Sequence, residues 1–261
     1  MDVDRVAALG FVLTATLERA YDSGPHRHAR HQLLYAESGV LWLEGDGGQW
    51  LLPPQRAAWI PASLEHRVRC RRAARLCTVY IDPALCPEQL PAVPSIAVFT
   101  VPPVCREMVL YGARWGPARS PEDPVAERFF AALAALCADW ARAPLPWRLP
   151  VARSAELARA MEFLLRDLAA PLDVAGAARF AGVSARTLAR RFADETGASA
   201  RQFLHSARMM RAMELLDVAE RRVGEVAHEV GFDSQSAFTS AFKAFVGESP
   251  GAFRRRGSIG V

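Results

Sequence analysis

Residues 26–39 read HRHARHQLLYAESG. His26, His28 and Gln32 fall on one side of an extended chain, because side chains on a strand alternate between its two faces. His31 falls on the other side. Imidazoles spaced this way can ligate a borderline divalent cation, serve a catalytic site, line an organic-ligand pocket, or be ordinary polar groups where a strand begins. The stretch alone does not separate these uses. They depend on the elements that hold it.

From residue 10 to about 82 the chain is a series of short apolar runs broken by turn signals. GVLWLEGDGGQWLL (39–52) reads as strand, tight turn, strand, with Asp-Gly at the turn. AAWIP (57–61), HRVRC (66–70) and RLCTVYID (75–82) read as further strands. In the second of these Val68 alternates with Arg67 and Arg69, so one face is wet. Many short strands at close spacing predict a small β-barrel or sandwich.

Beyond about residue 102 the period changes. PVAERFFAALAALCADWARA (124–143) sets Phe129, Phe130, Leu133, Leu136, Cys137 and Trp140 on one apolar stripe of a helix. A second copy of the chain is the expected cover for it. RAPLPWRLPVARS (142–154) has three prolines and no period, and marks a linker.

The last hundred residues contain an internal echo. LDVAGAARFAGVSARTLARRFADETG (172–197) and RRVGEVAHEVGFDSQSAFTSAFKAFVG (221–247) share one plan. A short helix ends at Gly182 or Gly231, an apolar residue follows, and Ser184 or Ser234 starts the next helix. Glycine supplies the left-handed turn and serine the cap. This is helix-turn-helix, twice. The second helix of each unit turns Leu188 and Phe192, or Phe238, Phe242 and Phe245, inward. Arg186, Thr187, Arg190 and Arg191, and Gln235, Ser236, Thr239, Ser240 and Lys243, face out, where such groups bond phosphates and base edges. SARQFLHSARMMRAMELLDV (199–218) has no glycine or proline and reads as one rigid connecting helix. It would let the two reading helices enter successive major-groove faces about 34 Å apart.

These motifs (GVSARTLARRFADETG, RMMRAMELLDV and VAHEVGFDSQSAFTSAFKAFVGESPGAFR) resemble the AraC/XylS family of transcription activators over residues 155–256. The resemblance implies two helix-turn-helix units on one face of double-stranded DNA. By residue match the first reading helix would use Arg186, Ala189 and Arg190, and the second Gln235, Ser236, Thr239 and Ser240. Ala189 is too small for a hydrogen bond and would offer only an apolar contact.

The N-terminal region resembles the cupin sensor domain of many such regulators. His26, His28, Gln32 and Gly39 match the first cupin motif, with Gln32 in the place of a glutamate. Pro61, Ser63 and His66 match the second, with Ser63 in the place of a glycine. The resemblance implies a site of His26, His28, Gln32 and His66 holding one divalent transition metal ion, Zn, Ni or Co. Neutral Gln32 weakens such a site. The reading without metal makes His26 and His28 part of an organic effector pocket with Tyr35, Trp42 and Trp59.

The expected fold class is therefore α+β: a cupin-like β-barrel (1–100), a helical dimerisation segment (101–145), a linker (146–154) and an all-α tandem helix-turn-helix domain (155–257). The expected protein is a homodimeric activator responding to a small-molecule or metal effector, with RNA polymerase a further partner. The competing reading is a metal-dependent cupin enzyme with a helical appendage, against which Gln32 and the second helix-turn-helix unit both speak. Net charge is +4, and all basic side chains but Lys243 are arginines, which suits phosphates and guanine edges. The basic surplus leans only slightly toward the C-terminal part. Five cysteines, an odd count without a CxxC pair, give no disulfide framework or zinc ribbon. With no long apolar run and a poor signal peptide, the chain reads as cytoplasmic and free of membrane.

Overall fold

The computed structural model describes residues 2–54, 56–86, 93–145, 147–218 and 220–257. Pro146, which opens the expected linker, lies outside them. The chain forms two compact units, Met1–Asp46 with Trp50–Pro146, and Gly47–Gln49 with Trp147–Ile259. Among the described residues no helix is long and apolar enough to cross a membrane.

The first unit is built from two antiparallel sheets. One has the order β1 (Gly10–Leu17), β8 (Ala74–Ile81), β3 (His31–Ser38), β6 (Arg56–Ile60), β9 (Ala97–Thr100). The other contains β5 (Gly48–Leu52), β4 (Leu41–Gly45), β7 (His66–Cys70) and the short β2 (Tyr21–Asp22). The β4–β5 turn has positive φ at both Asp46 (45°) and Gly47 (66°), the turn that matches the twist of paired strands. In β7, His66, Val68 and Cys70 are buried while Arg67 and Arg69 pair with Asp22 and Glu44 on the wet face.

Two apolar cores sit on opposite faces of the first sheet. Between the sheets lie Leu34, Leu41, Leu43, Trp50, Ile60, Val68 and Leu76. On the outer face lie Leu33, Tyr35, Trp59, Cys77 and Val79, covered by α1 (Pro103–Gly112) and α2 (Pro124–Trp140). Phe130, Leu133 and Cys137 of the α2 stripe are fully buried in this second core, with Phe129 and Trp140 packed against it. The cover expected from a second copy is thus supplied by the chain's own sheet. Gly10 on β1 takes the Phe130 ring so closely that an added Cβ would lie 2.4 Å from it. The large apolar side chains that stay exposed on these helices, among the described residues, are Val104, Tyr111 and Val125.

The second unit begins with Trp147, fully buried, its indole N–H donating to the Phe245 carbonyl at 3.0 Å. After β10 (Arg148–Pro150) come α3 (Ala155–Leu165), α4 (Val174–Ala181), α5 (Ala185–Thr196), α6 (Ala200–Leu216), α7 (Val223–Glu229), α8 (Gln235–Val246) and α9 (Pro250–Gly257). Both repeats form as their caps require. Gly182 and Gly231 take φ of 74° and 78° between the paired helices. Ser184 Oγ accepts the Thr187 N–H at 3.1 Å, and Ser234 Oγ the Ala237 N–H at 3.2 Å. Ser199 and Gln202 form a capping box at the start of the connecting α6.

Candidate functional site

His26, His28 and His66 come together, but not along one strand. His28 lies in the loop before β3, while His26 forms an isolated two-bond bridge with His66 (N···O 2.9 and 2.8 Å). The Ser63 N–H donates to the His28 carbonyl at 2.7 Å, and the Ala62 N–H to His31 Nδ1 at 3.0 Å. His31 also stacks on Trp59 with ring centroids 5.1 Å apart. From the other side, the buried Arg30 guanidinium donates to the carbonyls of Val6, Ala8 and Leu9, and Asp4 accepts the Ala29 N–H. The loop bearing His28 is therefore tied down on both flanks.

Each of the three imidazoles points Nδ1 at a backbone carbonyl: His26 at Gly24 (3.0 Å), His28 at Arg30 (2.8 Å) and His66 at Leu64 (2.9 Å). A carbonyl only accepts, so Nδ1 carries the proton and Nε2 is left bare in the neutral ring. The potential ligand atoms of the three lie within 4.8 Å of one another. Burial pushes His66 down to about 4, the neighbouring His26 and His28 adding to the effect; burial also lowers His28. Buried His66 has no partner for Nε2 among the described residues. Clustered imidazoles with Nδ1 committed to carbonyls offer Nε2 as the donor a borderline divalent ion takes.

Gln32, fourth in the expected set, donates from Nε2 to Thr78 Oγ1 at 2.9 Å and places Oε1 3.1 Å from His28 Nε2. Two acceptors face each other there without a proton between them. A cation held by both would resolve this. Turning the amide over, so that its NH2 donates to His28, is the metal-free resolution.

The organic-pocket residues are not where the sequence reading put them. Tyr35 and Trp59 belong to the core under α1 and α2, and Trp42 alternates with the inward Leu41 and Leu43, lying beneath Arg71 at 5.8 Å. Strand parity turns all three away from the space between the sheets. The residues that do adjoin the cluster are Tyr80, edge-on to His28 at 5.2 Å, with Phe11 stacked on Tyr80 at 5.2 Å, and Thr78. Thr78 and Tyr80 share the parity of inward Leu76, and that pattern was the signal for them.

In the second unit Arg186, Ala189 and Arg190 are exposed on one face of α5, opposite the buried Leu188 and Phe192. Gln235, Ser236, Ser240 and Lys243 are exposed on α8, with Thr239 half-buried, opposite Phe238 and Phe242. Ser184, Ser234 and Thr187 have local duties. The two serines cap their helices, and Thr187 bonds Ser184 at 2.9 Å. Arg191 departs from the expected reading face. It is paired with Glu156 and Glu195, each at 3.5 Å, one step round the helix from Arg190.

A family model described as AraC-like ligand binding domain matches residues 10–193, and one described as Helix-turn-helix domain matches residues 177–256. The chain belongs to the AraC family. It is a DNA-binding transcriptional regulator of that family with a ligand-binding N-terminal domain. Among its relatives, the HTH-type transcriptional regulator NimR of Escherichia coli (strain K12) is 29% identical over 253 residues, 96% of this chain and 88% of that protein. The HTH-type transcriptional activator RhaR of Pectobacterium atrosepticum is 35% identical over 96 residues, 37% of this chain and 34% of RhaR. The solved DNA-binding domain of AdpA, in complex with a target DNA, is 36% identical, covering 39% of this chain and 92% of that one with a TM-score of 0.36.

Proposed function

We propose that this AraC-family chain is a metal-responsive activator of transcription. A divalent transition ion, Zn, Ni or Co, would be held by His26, His28 and His66 with Gln32 Oε1 as a fourth donor. The observation that carries this reading is the buried Nε2 of His66, without a partner among the described residues, beside two further imidazoles whose Nδ1 atoms are committed to carbonyls. Such an ion would act as effector, or as anchor for a small molecule bound beside Tyr80 and Phe11. Control of DNA binding requires that the ion bind one arrangement of the chain better than another. The reading helices α5 and α8 would contact successive major-groove faces through Arg186 and Arg190, and Gln235, Ser236 and Ser240. Activation is supported by the description of RhaR as an activator; RNA polymerase would then be a further partner. A twofold dimer is supported by the exposed Val104, Tyr111 and Val125.

Elemental analysis of the purified full chain, with titration of Zn, Ni and Co into chelator-treated protein, tests the metal. About one ion per chain, lost in the His26→Ala/His28→Ala double variant, is expected. Unchanged stoichiometry in that variant removes the metal claim and leaves the organic-effector form of the regulator.

A further inference from the structure

We infer that Arg208 is the positioning residue that sets the spacing between the two reading helices. It lies at the middle of α6, the helix connecting the two helix-turn-helix units. One guanidinium nitrogen, Nη2, donates to the carbonyl of Ala170 at 2.7 Å, in the segment that leads into α4. The other, Nη1, donates to the carbonyl of Gly231 at 3.3 Å, in the turn between α7 and α8. One planar fork thus grips the entry to the first unit and the turn of the second.

The packing around it is tight. A Cβ added to Gly231 would lie 2.7 Å from Arg208 Nη2 and 2.7 Å from the Leu168 carbonyl, so the turn, the fork and the 168–170 segment fill one another's space. Gly231 also has φ of 78°, which a side chain resists. The Arg208 charge is partly buried, and its bonds here run to main-chain carbonyls rather than to a carboxylate. Burial lowers its pKa, the charge of Asp167 opposing this in part. An ion pair could be made anywhere on the surface, but two carbonyls from two different units can be met only if those units are held at a fixed separation. A lysine puts one nitrogen where arginine puts two, and cannot occupy both positions. When two linked modules bind one duplex, rigid spacing keeps the second contact pre-arranged and penalises DNA with the wrong interval.

The inference rests on the reading that both α5 and α8 contact DNA. The test uses the full chain with a duplex defined by footprinting. Two further duplexes have one base pair inserted or removed between the two protected segments, and a fourth keeps only one segment. Wild type, Arg208→Met and Arg208→Lys are compared by fluorescence anisotropy, with thermal melts to establish that each is folded. Wild type is expected to bind both altered-spacing duplexes about tenfold or more weakly than the native one. Both variants are expected to bind the native duplex about tenfold more weakly than wild type, to differ less than about threefold among the three spacings, and to bind the single-segment duplex as wild type does. Should Arg208→Met melt below the working temperature, Arg208→Lys carries the comparison. A variant that keeps the wild-type spacing preference overturns the role of Arg208. A wild type indifferent to spacing, or bound to no duplex, overturns the two-helix reading and this inference with it.

Discussion

His28 Nδ1 lies 2.8 Å from the carbonyl oxygen of Arg30. That contact decides the chemistry of the ring. It fixes the proton on Nδ1 and turns a bare Nε2 toward Gln32 Oε1, 3.1 Å away. An acceptor facing an acceptor is a poor pair, and a cation is the simplest group to satisfy both. Replacing Gln32 with a carboxylate would strengthen such a cation site. Gln32→Glu is expected to raise divalent-metal affinity about tenfold or more, read by competition with a chromophoric chelator. If the amide instead donates to His28, the substitution gains no metal affinity and destabilises the chain through a buried carboxylate.

Ser63 tests how closely the loop before His66 is constrained. Its φ is 64°, a left-handed backbone that costs a side chain about 1 kcal/mol, and its N–H is engaged with the His28 carbonyl. Ser63→Gly is expected to stabilise the chain by roughly 0.5–1 kcal/mol in denaturant melts, with metal binding unchanged. A loss of stability would mean the serine side chain has a partner worth more than the strain.

The two adjacent arginines of α5 are expected to behave differently. Arg190 is exposed on the face of Arg186, whereas Arg191 is paired with Glu156 and Glu195. Arg190→Ala should cost about 1–3 kcal/mol of binding and relax preference at one base step. Arg191→Ala should leave base preference intact and cost about 0.5–1 kcal/mol of stability, the scale of a part-exposed ion pair. A selection experiment on randomised duplexes separates them, and a base-specific change in the Arg191 variant would return that residue to the reading face.

Glu195 gives a pH dependence. It accepts from the N–H groups of Arg153 (2.8 Å) and Ser154 (2.9 Å) and from Ser154 Oγ (2.6 Å), closing α5 onto the start of α3. Burial pushes its pKa up, but the bonds from Ser154 and Arg153 outweigh this and hold it below the ordinary 4.5. A carboxylate with a depressed folded-state pKa contributes stability that is present above its unfolded value and lost as pH falls through the folded one. Wild type should therefore lose stability below about pH 4.5 more steeply than Glu195→Gln, which should already be about 1–2 kcal/mol weaker at neutral pH. Parallel pH profiles would show that the carboxylate is not held in its ionised form.

Much of the second unit was legible because its signals are local. Gly182 and Gly231 end helices, Ser184 and Ser234 begin them, and each of these acts within a few residues of itself. The β4–β5 turn and the alternation of β7 were legible for the same reason. Long-range choices were not. Tyr35 sits on β3, where five successive residues from Gln32 to Ala36 are buried and no alternation survives to say which face is which. The α2 stripe announced that it would be covered, but an apolar face carries no mark of whether its cover is the chain's own sheet or another molecule. The histidines were legible through the two cupin motifs, but strand parity, which put His26, His28 and Gln32 on one face, does not hold for His28, which lies before β3. They meet because a backbone bridge joins His26 to His66 and the Ser63 N–H binds the His28 carbonyl, contacts that bring together residues about forty positions apart.

The most direct test is a footprint and salt titration of the full chain on DNA upstream of its own and neighbouring genes. Two protected segments about one helical turn apart are expected, with affinity falling steeply as salt rises through counterion release. Arg190→Ala should disturb one segment and Gln235→Ala the other. Failure to bind any genomic fragment at low ionic strength, or a single protected segment disturbed alike by both substitutions, would contradict the two-helix account.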